Sequence, residues 1–222
     1  MADLSILITA GGIGKRMGAD VPKQFLLLCG RPILIHTLER LHGFAPKAQF
    51  IITLPEEWKQ EWQQLCTKHN CDIKHEVISG GKERFNSVKK ALEHCSENHV
   101  LIHDGVRPLV SKDCFERALD SVKSNVASIP FVAINESMRR LEGEQNHAVN
   151  RDEYLIIQTP QCFHLKELKE AYEQNYSPQF TDDASVMEAS GHTIHLFEGN
   201  PENVKITQAK DIQLAEFYLR RL

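Results

Sequence analysis

No CxxC pair occurs among the six cysteines at positions 29, 66, 71, 95, 114 and 162, and they are too sparse for a disulfide scaffold. They read as reduced, mostly buried thiols of a cytosolic protein. An excess of basic residues is also missing. Lys and Arg number 26 against 30 Asp and Glu, a formal net charge of -4. That balance gives no positive field for a nucleic-acid backbone, although a local basic pocket for a single nucleotide stays open. Apolar runs are short. The opening MADLSILITAGG ends in glycines and has no basic leader, and nothing approaches the roughly 20 apolar residues of a membrane span. Repeats and low-complexity tracts are absent. What remains is an ordinary globular balance, 41% hydrophobic and 25% charged over 222 residues. A chain of this length suits one domain burying roughly 70% of its extended surface.

Within that domain, Leu4 to Thr9 form an apolar run of β-formers that passes directly into the turn Ala10 to Gly14. A strand feeding a glycine-rich loop opens a nucleotide-binding α/β domain. Pro32 suits a helix's first turn, and Leu34, Leu38 and Leu41 then fall on one helical face. Strands are expected at 49–54, 73–78, 100–102, 126–133, 154–157 and 193–197. Helices are expected at 56–69, from Phe85 through Cys95, at 113–121 and at 208–218, the last packing through Ile212, Ala215 and Phe217. The alternation favours a mostly parallel sheet covered by helices, with ligands beyond the strands' C-terminal ends. Residues 135–153 break the pattern. They are polar, contain Arg139, Arg140 and Arg151, and read either as a projecting arm or as a surface loop.

The densest local signal is Ala10-Gly11-Gly12-Ile13-Gly14-Lys15-Arg16-Met17-Gly18, which lacks both the GxGxxG dinucleotide placement and a Walker GxxxxGK[ST]. Its glycines let amides approach phosphate oxygens, and its two cations can neutralise them. A purely structural turn is the alternative. Lys23, in Pro22-Lys23-Gln24, follows as a further cation, and taken alone it reads more readily as a surface lysine than as a site residue. Asp104 and Arg107 in His103-Asp104-Gly105-Val106-Arg107-Pro108 can hold Mg²⁺ and an anionic group, or else cap a helix and pair at the surface. Ser87 in Gly80-Gly81-Lys82-Glu83-Arg84-Phe85-Asn86-Ser87 can read a base edge or decorate a helix.

Taken in order, TAGGIGKRMG, PKQF, GGKERFNSV, HDGVRP, NRDE, QTPQCF, TDDAS and NVKIT run through nearly the whole chain. This set resembles the 2-C-methyl-D-erythritol 4-phosphate cytidylyltransferase family of the non-mevalonate isoprenoid pathway. It is also similar to the related ribitol 5-phosphate cytidylyltransferases. The resemblance implies a single Rossmann-like nucleotidyltransferase domain over 1–222, with a mostly parallel, mixed sheet flanked by helices and a projecting dimerisation arm at about 134–154.

By the same resemblance, Arg16 and Lys23 hold the CTP phosphates and stabilise the transition state. Ala10, Gly11, Gly12 and Gly14 approach the nucleotide through their backbone, and Gly81, Lys82 and Ser87 line the cytosine pocket. Asp104 places Mg²⁺. Arg107, Thr159, Thr181 and Lys205 serve the acceptor, while Ser137 and Arg151 reach it from the arm of a second subunit. Four departures from the family's usual forms stand out: Gly11 in place of alanine, Gly105-Val106 in place of two alanines, Ser137 in place of threonine, and Asn150 before Arg151 in place of aspartate. None removes a cation or the carboxylate. The implied reaction is in-line attack of a phosphorylated polyol on the α-phosphate of CTP, in a cytoplasmic homodimer with a shared site. No nucleic acid or membrane takes part. A ribitol 5-phosphate enzyme is the alternative acceptor reading, and a nucleotide-binding regulator without turnover is the alternative of another class.

Overall fold

The computed structural model describes residues 3–12 and 21–221. The first strand, β1 (Leu4–Thr9), shows why the sheet lies in the middle of the molecule. Successive strand side chains point to opposite faces. Leu4, Ile6 and Ile8 pack into one apolar cluster and Leu7 into another, so both faces are covered. β4 (Gln49–Leu54) repeats the arrangement, with Phe50 and Ile52 on one side and Ile51 on the other. β5 (Glu76–Ser79) and β6 (His99–Asp104) complete a parallel half in which β1 pairs with β4 and β6, and β4 pairs with β5.

The other half is mixed. β7 (Ala127–Ala133), β10 (Leu155–Ile157) and β11 (Gln161–His164) pair antiparallel, and β11 also runs antiparallel to β6. β12 (His195–Glu198) runs parallel to β7. Ser128 is opposite both Cys162 and His195, which puts β11 and β12 on the two edges of β7. Small antiparallel pairs form outside this sheet, β2 (Leu27–Leu28) with β3 (Arg31–Pro32) and β8 (Arg139–Glu142) with β9 (Gln145–Ala148).

Helices cover the two faces. α1 (Ile33–Phe44), α2 (Lys59–Lys68) and α4 (Lys112–Val122) contribute Leu38, Trp62 and Phe115 to one cluster. α3 (Arg84–Leu92), α5 (Leu165–Ala171) and α6 (Asp183–Ala189) contribute Val88, Leu168 and Met187 to the other. Leu34, Leu38 and Leu41 of α1 are all buried, as their spacing requires. α7 (Ala209–Leu219) closes a third cluster with Leu28, Ile33, Val106 and Ile206. No helix among the described residues is long and apolar enough to cross a membrane.

Several expected bounds move. The helix at 56–69 divides into a 3-10 turn, Glu56–Trp58, and α2. In α7, Ala215 is buried but Phe217 is 48% exposed, because it turns outward beneath the Arg221 guanidinium 3.9 Å from its ring centre. The polar stretch 135–153 is not a featureless loop. Its centre is the β8–β9 hairpin, every residue of which is exposed, and its end is a 3-10 turn, Arg151–Glu153, capped by Asn150.

Candidate active site

The parallel strands deliver their C-terminal ends to one edge, and Ala10, Thr53, Gly81 and Asp104 gather there around a cleft of about 230 Å³. Gly11, Gly12, Lys23, Lys82 and Ser87 line it too, and so does Lys205, which is expected at the acceptor. The expectations for Gly14 and Arg16 lie outside the described residues.

Gln24 and Phe25 fix the place of Lys23. The Gln24 side-chain amide donates to the Ala10 carbonyl at 2.5 Å, joining the Lys23 turn (Lys23–Phe25) to the end of β1. Phe25 stacks on Trp62 with ring centres 6.0 Å apart and planes 11° from parallel. A β-carbon placed on Gly12 would meet Lys23 Cε at 3.6 Å, so the lysine stem runs alongside the glycine turn.

The turn between β5 and α3 is shaped from inside. Ser87 Oγ accepts from the Gly81 amide at 2.9 Å and donates to the Glu83 carbonyl at 3.1 Å. Its only hydrogen is therefore committed to the turn, and one acceptor lone pair remains for a ligand. Gly81 has no room for a side chain, since a β-carbon would lie 2.4 Å from Asn86 Cβ. Gly105 is similarly enclosed, with Leu34 Cδ1 2.9 Å and Ala10 Cβ 3.1 Å from such an atom. An alanine at that position would have to displace the Leu34 side chain.

A second cleft adjoins the first, lined by Arg84, Asp104, Arg107, Thr159, Thr181 and Lys205 among others. Arg84, Asp104 and Lys205 line both, so the two clefts meet at these three side chains. Lys205 Nζ lies 2.9 Å and Arg107 Nε 3.2 Å from Asp104 Oδ2. Burial would raise the Asp104 carboxyl, but Lys205, Arg84 and Arg107 outweigh it and hold the group well below the usual carboxylate range. Arg107 also donates to the Asn203 carbonyl at 2.8 Å, which makes it a brace between β6 and the NVKIT segment as well as a cleft residue.

Thr159 is buried behind Asp104. Its hydroxyl oxygen accepts from the Asp104 amide at 3.1 Å. His103 Nε2 faces the Arg107 carbonyl at 2.9 Å and must donate to it, so Nδ1 is the acceptor and takes the Thr159 hydroxyl proton at 3.0 Å. Burial pushes the imidazole down to about 4, and His103 is a neutral, fully hydrogen-bonded support for Asp104 and Thr159.

Thr181 is exposed at the second cleft. Asp182 caps α6, accepting from the Ser185 amide while Ser185 answers the Asp182 backbone. That leaves the Thr181 side chain outside the capping box. Ser137 and Arg151 stay apart from both clefts in a single chain. Both are exposed on the arm, and Arg151 donates to the Asn135 carbonyl and lies 3.9 Å from Asp152.

Sequence reasoning assigns no role to Arg84, although it sits inside a motif. Its two Nη atoms meet Asp183 Oδ1 at 2.8 Å and Oδ2 at 2.6 Å, and Tyr172 donates to the same carboxylate at 2.6 Å. The signal that could have found it is the presence of opposite charges in two separate motifs, GGKERFNSV and TDDAS.

A glycine turn after the first strand, cations and one ionised carboxylate at the parallel strand ends, and a second polar cleft alongside define an α/β nucleotidyltransferase. The family model for 2-C-methyl-D-erythritol 4-phosphate cytidylyltransferase matches residues 4–221, and the chain belongs to that family. It is 46% identical over 214 residues to the Bacteroides fragilis protein of that name, covering 96% of this chain and 98% of that one. The crystal structure of the Thermus thermophilus cytidylyltransferase aligns at a TM-score of 0.81 with 31% identity, covering 97% of this chain and 98% of the other. The Francisella tularensis enzyme aligns at 0.80 with 30% identity, covering 97% and 99%.

Proposed function

We propose that this chain transfers the cytidylyl group of CTP to 2-C-methyl-D-erythritol 4-phosphate, releasing pyrophosphate, and that the two adjoining clefts hold the two substrates. The observation that carries the reading is the seam, where Arg84, Asp104 and Lys205 belong to both clefts. Two polyanions have to be brought within bonding distance, and fixed cations at their meeting point offset the repulsion.

CTP occupies the first cleft. Ala10, Gly11, Gly12 and Gly14 present backbone to its phosphates, while Gly81, Lys82 and Ser87 enclose the cytosine. The acceptor occupies the second cleft, its phosphate held by Arg107 and Lys205 and its hydroxyls by Thr159 and Thr181. An acceptor phosphate oxygen attacks the α-phosphorus in line, and the bond to the leaving pyrophosphate breaks. Arg16 and Lys23 stabilise charge that grows on the bridging and leaving oxygens, which lowers the barrier because that charge is larger in the transition state than in bound CTP.

No general base is required. The second ionisation of a phosphate monoester lies near pH 6, so the nucleophile already carries its charge at neutral pH. His103, neutral and hydrogen-bonded on both ring nitrogens, supports the backbone instead.

The donor set at Asp104 fits Mg²⁺. The carboxylate is ionised, both of its ion pairs fall on Oδ2, and magnesium commonly takes one or two carboxylates together with substrate phosphates. Asp104 would hold such an ion, and the chemistry supplied there would be Lewis-acid neutralisation of phosphate charge.

The working form is a cytoplasmic homodimer. The exposed arm carries Ser137 and Arg151 to the second cleft of a neighbouring subunit, which gives an otherwise unsupported hairpin an energetic reason to project. The six unbridged thiols suit a reducing compartment.

The test is Mg²⁺-dependent pyrophosphate release from CTP with 2-C-methyl-D-erythritol 4-phosphate and D-ribitol 5-phosphate side by side. A strong preference for the first supports the reading. Preference for the second overturns the acceptor assignment, and silence with both points to a nucleotide-binding protein without turnover.

A further inference from the structure

We propose that Arg84 is a substrate-binding cation at the seam of the two clefts, contacting phosphoryl oxygens where the two substrates meet, and that Asp183 and Tyr172 are positioning residues that aim it. The inference rests on the cytidylyl-transfer reading and assigns it an additional residue.

The pair Arg84–Asp183 is lopsided. The Asp183 side chain is 0% exposed whereas that of Arg84 is 31% exposed, so the anion is sealed in and the cation opens onto solvent. The open side is the one that lines both clefts. Two parallel N–H to oxygen contacts fix the plane of a guanidinium as well as its position. Of its five N–H donors, the fork uses two and leaves the others for a ligand.

The carboxylate behind it is fixed in turn. Tyr172 donates its hydroxyl to Asp183 Oδ1, and the Tyr172 ring stacks on Phe85, the residue after Arg84, with centres 4.7 Å apart. The unit therefore holds Arg84 from the front of α3 and from the front of α6 at once. α3 follows the base-reading turn at Gly81, while α6 follows Thr181 and Asp182 of the second cleft. The clamp joins the wall of one cleft to the wall of the other.

Stability alone gives this arrangement little reason to exist. A buried ion pair is often no better than an apolar pair of equal volume, because desolvation cancels the attraction. A cation that must face an anionic ligand in a fixed plane has no apolar substitute. The Arg84 charge also acts on Asp104, helping to keep that carboxylate ionised between two polyanions.

The experiment uses the full-length protein with Arg84→Lys, Arg84→Ala, Asp183→Asn and Tyr172→Phe, reading kcat, both KM values and thermal midpoints. Arg84→Lys keeps the charge and loses the fork, and kcat is expected to fall at least about tenfold. Asp183→Asn is expected to lower kcat and raise the acceptor KM together, with Tyr172→Phe moving both in the same direction by less. Added guanidinium ion is expected to restore part of the Arg84→Ala rate and to leave wild type and Tyr172→Phe unchanged, a response that a folding defect does not give. Should Arg84→Ala fail to fold, Arg84→Lys and Asp183→Asn decide the question through kcat. Variants that shift the thermal midpoint but retain wild-type kcat and KM overturn the inference. A wild-type protein silent with both acceptors overturns the reaction on which it rests, and the inference falls with it.

Discussion

Lys205 Nζ lies 2.9 Å from Asp104 Oδ2, so a lysine from the last loop before the C-terminal helix is anchored on the carboxylate that ends β6. The lysine is 44% exposed on its side chain and the aspartate only 10%. The buried partner sets the place, and the exposed partner retains N–H donors for an anion entering either cleft.

Removing that ammonium separates binding from folding. The ammonium end is solvated, and Arg107 and Arg84 still compensate the buried Asp104 carboxylate when it is removed, so its loss costs about 1 kcal/mol of stability. Lys205→Ala should therefore lower the thermal midpoint by no more than about 2–4 °C for a chain of this size. A charge-assisted hydrogen bond to a phosphate is worth about 1.5–3 kcal/mol, so kcat/KM for the acceptor should fall about 10- to 100-fold. Steady-state kinetics and a melting curve on the same preparation check both numbers. A large drop in midpoint with unchanged kinetics would reverse the assignment.

Gly81→Ala and Gly12→Ala should part company. The new methyl at 81 would lie 2.4 Å from Asn86 Cβ and 3.0 Å from the Asn86 carbonyl carbon, and the helix start cannot yield cheaply. Overpacking of this kind costs about 1–3 kcal/mol, and because Ser87 braces the same turn, the KM for CTP should rise with it. At position 12 the nearest atom is Lys23 Cε at 3.6 Å, an ordinary contact. Chemical denaturation of the two variants should show a loss at 81 and almost none at 12.

His103 makes part of the acid sensitivity predictable. Its folded value of about 4 lies below the ordinary 6.5, because burial disfavours the charged imidazolium. Above 6.5 the residue is neutral in both states and costs nothing. As the pH falls from 6.5 to about 4 the unfolded chain takes up a proton that the folded chain refuses, so stability declines across that window and levels off below it. The full effect is about 3 kcal/mol. Urea unfolding of wild type and His103→Asn at pH 7.5 and pH 5 should show a smaller pH-dependent loss in the variant. Equal losses would mean that another group governs the acid limb.

Much of the site was readable because a parallel strand announces its own end. Runs such as LSILIT and HVLIHD stay apolar while buried and change chemistry where they emerge, so Gly11, Gly12 and Asp104 are found at the cleft for the reason that they follow the runs. The braces were not readable. Arg84 and Asp183 are 99 positions apart, and no local pattern of either pairs them. β11 was missed because Gln161-Cys162-Phe163-His164 carries no alternation, yet it is central, enclosed between β6 and β7. Phe217 is expected to pack inward with Ile212 and Ala215, yet it follows Ala215 by two positions and Ile212 by five, spacings that turn it to another side of α7, and Tyr218 and Leu219 pack against the cluster instead. The arm is legible as a polar interruption that can project, but its hairpin is not, since a hairpin with all of its residues exposed has no buried side to produce a period.

Mixed subunits give the sharpest test of the arm. In the shared arrangement each active site combines Lys23 of one protomer with Arg151 of the other. Lys23→Ala and Arg151→Ala should each be nearly inactive as homodimers. A dimer containing one of each has one site that loses both residues and one site that keeps both. Refolding an equal mixture should therefore return about a quarter of the wild-type rate, since half of the dimers are mixed and half of their sites are intact. If Arg151 served the cleft of its own chain, every site in the mixture would still lack one residue, and mixing would restore nothing. Pyrophosphate release before and after mixing distinguishes the two, and adding Ser137→Ala to the Lys23→Ala chain should then reduce the recovered rate, because that chain supplies the arm of the intact site.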